Sequence, residues 1–533
     1  MLKKEYLFLV IMCVSLLLGA CSEVTSSKSK EGSGTDKNTL TMSWPLDIGE
    51  ANPHLYSPNE MFAQAMLYDP LVVYGTDGTI SSGLAEKWDV SEDGKEYTFY
   101  LREGVLYSDG SKLTAENVKR NLETVIGNSL AHSWLEVVTI IDKVEALDEL
   151  TVKVSLKEPY YPFLQELALI RPLRMLGNAG FPESGNTADG IKEPIGTGPW
   201  ILKEADENHA VFIRNENYWG EKPSIEKVEV KYIADSQMRM MALEKGEIDL
   251  IFGSAQLMPS EFTTLQQNDK YVTKISDPLS TRILSLNTTY GVTKHKEVRL
   301  ALQHALDRQT IIEHVLSGLE QEAHSLFAPG FPYSDIEIEK YNYDLKKAQQ
   351  ILDEAGWAMD EKTGIRSKDG EILELLIAYN SSDQVHKAIY EYLQGAWKEI
   401  GVEVELVAEE NQVYYARTKS GEYNIVMNDT WGAPYDPHMY LRTMLGEQQI
   451  GNYSLSGTDA SGKLTDEITR VIRSTNEAER SSLYESIIQT IQQEAIFMPI
   501  SYRQNYLVAN DVFKTMTFSP QQFEVPTNLY EMK

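Results

Sequence analysis

The sequence predicts an α/β protein built from at least two lobes, and three observations predict it. Strand and helix signals alternate over hundreds of residues, which is the pattern of α/β layers. The 495 residues after position 38 exceed what one hydrophobic core usually holds. Both cysteines, Cys13 and Cys21, precede that body, so it must be stabilised by cores and not by disulfides.

In chain order, Lys3 and Lys4 stand before an apolar run from Tyr6 to Leu18. The run falls short of the roughly 20 apolar residues that span a bilayer, so residues 1–20 read as a signal peptide. Leu18-Gly19-Ala20-Cys21 resembles the bacterial lipobox, and Cys21 is the expected lipidation site, which would anchor the chain on the extracytoplasmic face of a cell membrane of the Gram-positive type. Ser22 to Asn38 contain Val24 as their one large apolar group and cannot offset their ordering entropy, so residues 21–38 are expected to be a tether.

Within the body, Tyr97, Phe99 and Leu101 alternate with polar neighbours just after Ser91-Glu92-Asp93-Gly94. Asp-Gly supplies the positive φ angles of a tight hairpin turn. The same period-two pattern predicts strands at Val152, Val154 and Leu156, at Val228, Val230 and Tyr232, and at Val402, Val404 and Leu406. Helical spacing appears at Val298, Ala301, Leu302 and Ala305, and again from Asp307 through Ile311, Ile312, Val315 and Leu316. Leu345, Ala348, Leu352 and Ala355 mark another helix, closed by Gly356, and Ser382 to Ile400 one more.

The formal charge is −30, and residues 1–20 contribute +1, so the chain beyond them is near −31. Nucleic-acid binders need clustered Lys and Arg, which excludes that class. No Gly-x-Ser-x-Gly elbow, His-Glu-x-x-His helix or body cysteine is present, so no enzyme class is indicated.

Several phrases then carry a resemblance. Gly83-Leu84-Ala85-Glu86-Lys87-Trp88, Gly196-Thr197-Gly198-Pro199-Trp200, Arg214-Asn215-Glu216-Asn217-Tyr218-Trp219-Gly220, Gly246-Glu247-Ile248-Asp249-Leu250, Leu286-Asn287-Thr288 and Met498-Pro499-Ile500-Ser501-Tyr502 span the body in order. Together they resemble the extracellular solute-binding proteins of the peptide/nickel family, family 5, which serve ABC importers. The resemblance implies a two-lobed periplasmic-binding-protein fold (type II, large peptide/nickel class) with an extra subdomain in lobe I. It implies lobe I over 39–280, lobe II over 281–503 and a C-terminal return over 504–533. It also implies partnership with a permease and ATPase, and a monomer with no catalytic cofactor. Gly196, Gly198 and Pro199 read as a tight turn, and Trp200 and Trp219 as packing aromatics outside the ligand site.

Other phrases resemble the nickel and metallophore branch: Asn52-Pro53-His54-Leu55-Tyr56-Ser57, Met61-Phe62-Ala63-Gln64, His132-Ser133-Trp134, Tyr160 to Leu169 running into Arg171-Pro172, and Thr430-Trp431-Gly432-Ala433-Pro434-Tyr435-Asp436-Pro437-His438. There the ligand is a metal, Ni(II) with Co or Zn as alternatives, inside a small organic chelate. The residue chemistry suits one. Arg171 can grip a carboxylate through two parallel hydrogen bonds. Trp134 and Trp431 offer flat walls, Tyr56, Ser57 and Tyr435 can bond peripheral oxygens, and Met61 is a soft contact. Two departures matter. Nickel-binding members place a ligating histidine where this chain reads Gly446-Glu447-Gln448-Gln449-Ile450, and a second arginine where it has Ala131. Coordination then falls to the chelator, such as histidine itself or a metallophore. His438 is the first histidine to consider as a protein ligand, but no metal residue is assigned. The alternative on the same fold is a di- or oligopeptide, whose α-amino group such proteins neutralise with an aspartate after the lobe II tryptophan. Asp436 stands in an imperfect position for that role.

Overall fold

The computed structural model describes residues 38–56, 61–75, 78–254 and 256–533. The expected signal segment, Cys21 and the tether before Asn38 lie outside these residues, as does Ser57. Residues 38–533 form one compact unit.

Two mixed sheets carry the body. The first runs in the order Tyr271–Ile275, Tyr506–Asn510, Leu250–Phe252, Thr39–Trp44, Lys227–Tyr232, His209–Arg214, Trp200–Ala205. Thr39–Trp44 lies parallel to Lys227–Tyr232, with Thr39 opposite Lys227 and Trp44 opposite Tyr232. The second runs Gln321–Glu322, Phe497–Arg503, Ser280–Leu286, Ile425–Asp429, Glu374–Asn380, Glu403–Glu409. The chain passes from the first sheet to the second between Ile275 and Ser280, and returns between Arg503 and Tyr506. These two crossings brace each other: Leu279 N donates to Arg503 O at 2.8 Å and Ser276 N to Asn505 O at 3.0 Å.

Each sheet buries its own apolar face. Trp44, Phe62, Trp200, Phe212 and Phe252 gather on the first, and Leu284, Leu302, Trp357, Leu393 and Trp397 on the second. An antiparallel layer of Ala85–Val90, Glu96–Leu101, Thr151–Leu156 and Ile141–Ala146 forms the additional unit. Its hairpin turns at Gly94, whose φ of 69° lies in the left-handed region that Asp-Gly predicts. Helix Ala115–Gly127 covers it, started by Thr114, whose side chain accepts from Asn117 N. This layer's core continues through Tyr160 and Phe163 into Leu464, Ile468 and Tyr484 of the helices beside the second sheet.

Most sequence-predicted elements appear where expected, including Lys296–His304, Leu345–Glu354 and Gln384–Lys398. Two details differ. The helix expected after Asp307 winds as a short α-turn at Arg308–Thr310 and then as a π-turn at Ile311–Val315, ending at Gly318 with φ 74°. Gly196 and Gly198 are needed for close approach rather than for a turn. A Cβ on Gly196 would sit 1.9 Å from Leu67 O, and one on Gly198 2.5 Å from Met66 O. That contact lets Thr197 Oγ1 donate to Asp69 at 2.9 Å, where Trp219 Nε1 also donates at 2.8 Å. Trp200 and Trp219 are thus scaffold.

Candidate functional site

A cavity of about 660 Å³ lies between the two sheets, where strand Ile425–Asp429 ends. Carboxyl ends of strands are where α/β folds bind ligands. It brings together Tyr56, Met61, Trp134, Arg171, Trp431 and Tyr435.

The first-sheet side is pinned by a loop ahead of helix Met61–Leu67. His54 N donates to Asn52 Oδ1 at 3.0 Å, and the His54 ring bonds Thr187 Oγ1 and Asn121 Oδ1, each at 3.0 Å. Tyr56 follows. Its hydroxyl lies 2.7 Å from His132 Nδ1, and burial keeps that imidazole neutral by lowering its pKa to about 4. Burial pushes the Tyr56 phenol well up, so it stays a neutral hydroxyl. Arg171 lies over this ring, its guanidinium carbon 5.5 Å from the centroid, and its Nη1 donates to Tyr56 O at 3.2 Å.

The second-sheet side is one turn. Gly432 has φ 75°, and a Cβ there would meet Leu279 O at 2.5 Å. Asp436 reaches back to accept from Gly432 N at 2.8 Å and Trp431 N at 3.2 Å. Burial raises its pKa to about 7 despite these donors. The turn presents both Trp431 and Tyr435, and burial pushes the Tyr435 phenol to about 12, with Arg171 and Arg174 opposing. Asp436 is therefore committed to the backbone and is not among the cavity's lining residues.

The aromatic walls meet across the cleft. Trp134 contacts Trp431 at 5.8 Å between centroids and 75° between planes, and Tyr435 at 6.3 Å and 31°. Tyr56 meets Trp134 at 5.4 Å, and Trp431 meets Tyr435 at 6.0 Å. These edge-on and tilted contacts are favourable aromatic geometries.

Sequence reasoning passed over six other lining residues: Tyr415, Asp429, Thr430, Arg503, Gln522 and Phe523. Asp429 and Thr430 directly precede Trp431, which was a usable signal. Arg503 directly follows the Met498-to-Tyr502 phrase, while Gln522 and Phe523 carry no motif. Arg503 Nη1 donates to Asp429 Oδ2, and its Nη2 lies 3.3 Å from Ser254 Oγ. Burial favours the neutral form of Asp429, but Arg503 and Arg282 outweigh it and hold its pKa below the usual carboxylate range. Ala131 is exposed and does not line the cavity, whereas Arg503 does.

His54, His132 and His438 are buried and none lines the cavity. His438 Nε2 sits 3.8 Å from Glu166, and burial first, with Arg442 second, lowers its pKa to about 3. The unfolded value is about 6.5, so the stability tied to neutral His438 is complete above pH 6.5 and is lost as pH falls toward 3. At pH 5 the loss is about 2 kcal/mol. Glu166, raised by burial to about 7, acts oppositely, since its contribution declines as pH rises to 7. Replacing His438 by Gln is expected to flatten the fall in unfolding free energy between pH 7 and 5, measured by chemical denaturation. An unchanged slope would contradict this reading of the histidine.

The profile of the bacterial extracellular solute-binding proteins, family 5 (middle), matches residues 79–452. The nickel-binding periplasmic protein of Escherichia coli strain K12 is 38% identical over 525 residues, 98% of this chain and 97% of that protein. Heme-binding protein A of Haemophilus influenzae is 26% identical over 549 residues, 96% of each chain. The crystal structure of NikA from Brucella suis in complex with Fe(III)-EDTA superposes with a TM-score of 0.91 at 42% identity, covering 93% of this chain and 100% of that one. The chain belongs to the bacterial extracellular solute-binding proteins of family 5, the two-lobed, ligand-capturing components of ABC importers.

Proposed function

We propose that this protein captures a metal chelate, Ni(II) held by histidine or a small metallophore, and delivers it to its importer's permease. Cobalt and zinc are the alternative metals. In this reading Cys21 carries a lipid that tethers a monomeric body outside the cell membrane. The observation that carries the reading is the union of Arg171 with the aromatic rings of Tyr56, Trp134, Trp431 and Tyr435 in a single cavity of about 660 Å³. A chelate is compact, partly apolar and edged with carboxylates. Aromatic faces cover its apolar body, and the planar fork of Arg171 suits a carboxylate edge. The relatives support the same direction, since one is named for nickel and another was crystallised with a metal inside a polycarboxylate chelator.

Capture follows from lobe closure. A ligand that touches Tyr56, Trp134 and Arg171 on one side and Trp431 and Tyr435 on the other favours the closed state over the open one. A peptide is the rival cargo, but its α-ammonium needs a carboxylate, and Asp436 serves the turn while Asp429 pairs with Arg503. Calorimetric titration distinguishes them. Nickel, cobalt and zinc are offered alone and with histidine, and a dipeptide mixture is run beside them. Saturable heat is expected for nickel with histidine. Heat from the peptides alone would overturn the cargo and leave the fold intact.

A further inference from the structure

Behind the tryptophan pair lies a second cavity of about 330 Å³. Trp134 and Trp431 line both this chamber and the main cavity, and they are the two residues the two linings share. The chamber also belongs to both lobes: Trp134 and Glu136 come from one side, and Arg442 and Arg473 from the other.

The charged residues of its lining are Glu136, Arg442 and Arg473, and Arg473 also pairs with Glu158 outside the lining. Glu136 is its one carboxylate, and two guanidiniums share it. Arg442 Nε lies 3.0 Å from Glu136 Oε2, and Arg442 Nη1 donates to Trp134 O at 2.6 Å. Arg473 pairs with Glu136 and reaches Glu158 at 3.0 Å. Arg473 Nη1 is buried yet has no hydrogen-bond partner among the described residues. Buried donors without partners are rare in folded proteins, because each forfeits its hydration without replacement. The remaining walls include the apolar Met439, Leu445 and Ile472. Gln449 lines this chamber and not the main cavity.

We propose that this chamber is a second subsite of the cleft, taking a flexible, carboxylate-ended arm of a chelator whose metal-bearing head occupies the main cavity. The arm's methylenes would lie along Met439, Leu445 and Ile472, and its carboxylate would accept from Arg473. Because the chamber is built from both lobes, an occupied arm adds to closure. This rests on the metal-chelate reading and narrows it. The cargo class is an amino-acid chelator extended by an anionic arm, larger than histidine itself.

Chelator chemistry provides the test. Nickel is titrated into the purified protein by calorimetry with L-histidine, with N-(ω-carboxyalkyl)-L-histidines whose arms run from two to five methylenes, and with the matching ω-carboxamides. At one arm length the carboxylate is expected to bind about tenfold or more tighter than histidine, and the carboxamide to lose most of that gain. Arg473→Gln should bring the carboxylate-to-carboxamide ratio near one. Histidine chelates that bind with no gain from any arm would overturn the chamber and leave the nickel reading standing. An Arg473→Gln variant that keeps the ratio would do the same. If neither histidine nor armed chelates bind, the nickel reading falls and the subsite falls with it.

Discussion

Arg171→Ala should weaken binding of a carboxylate-bearing nickel chelate by about 100-fold, within the 2–4 kcal/mol range of a buried, charge-assisted contact that loses one partner. Two effects combine. The fork that would meet the chelate's carboxylate disappears, and Tyr56 loses both the guanidinium over its ring and the donor at its carbonyl. Arg171→Lys separates them. It keeps a positive charge but cannot form two parallel hydrogen bonds, so it should recover only part of the affinity. Calorimetric titration with nickel and histidine reads both variants. Equal affinity for wild type and Arg171→Ala would remove this residue from the site.

Trp431→Ala is the second large effect, about 30-fold in affinity, as for a truncated aromatic anchor worth some 2 kcal/mol. This ring lines both cavities and touches both Trp134 and Tyr435. Its removal would leave the chelate without its wall on the second lobe. Folding should change little, because the Trp431 side chain is only partly buried and the turn is held through backbone N–H groups that alanine retains. The expected signature is therefore a raised Kd with a nearly unchanged denaturation midpoint. A large drop in that midpoint would make Trp431 a core residue.

The cleft was unevenly legible in the sequence, for physical reasons. Arg171, Trp134, Trp431 and Tyr435 sit in phrases whose composition is hard to explain by packing alone, such as a tryptophan within Gly-Ala-Pro. Tyr56 and Met61 belong to the phrases that resemble the nickel branch. Asp429 and Arg503 were not singled out because each resembles an ordinary strand end, although Asp429 stands close to Trp431. Only the antiparallel pairing around Ser280–Leu286 brings residues 429 and 503 together. The glycines at 196 and 198 read as a turn because sequence shows composition and not approach; the contact that requires them is with residues 66 and 67. The π-turn at Ile311–Val315 has the same apolar spacing as an α-helix over so few residues, so periodicity could not separate them.

Asp436 illustrates how a residue type alone can mislead. It follows a lobe II tryptophan, as a peptide receptor's aspartate does, yet its two oxygens hold the turn that aims Trp431. The charge that faces the cavity belongs instead to Arg171 and to the neutralised pair of Asp429 and Arg503. That arrangement favours a ligand with an exposed carboxylate over one that ends in an ammonium.

Native mass spectrometry of the protein, purified from cells grown with nickel and never exposed to added ligand, tests the cargo most directly. The account predicts a bound mass carrying the isotope pattern of nickel together with a histidine-class chelator, lost when Arg171 is replaced by alanine. A bound mass that matches short peptides, with no metal isotope pattern, would contradict it.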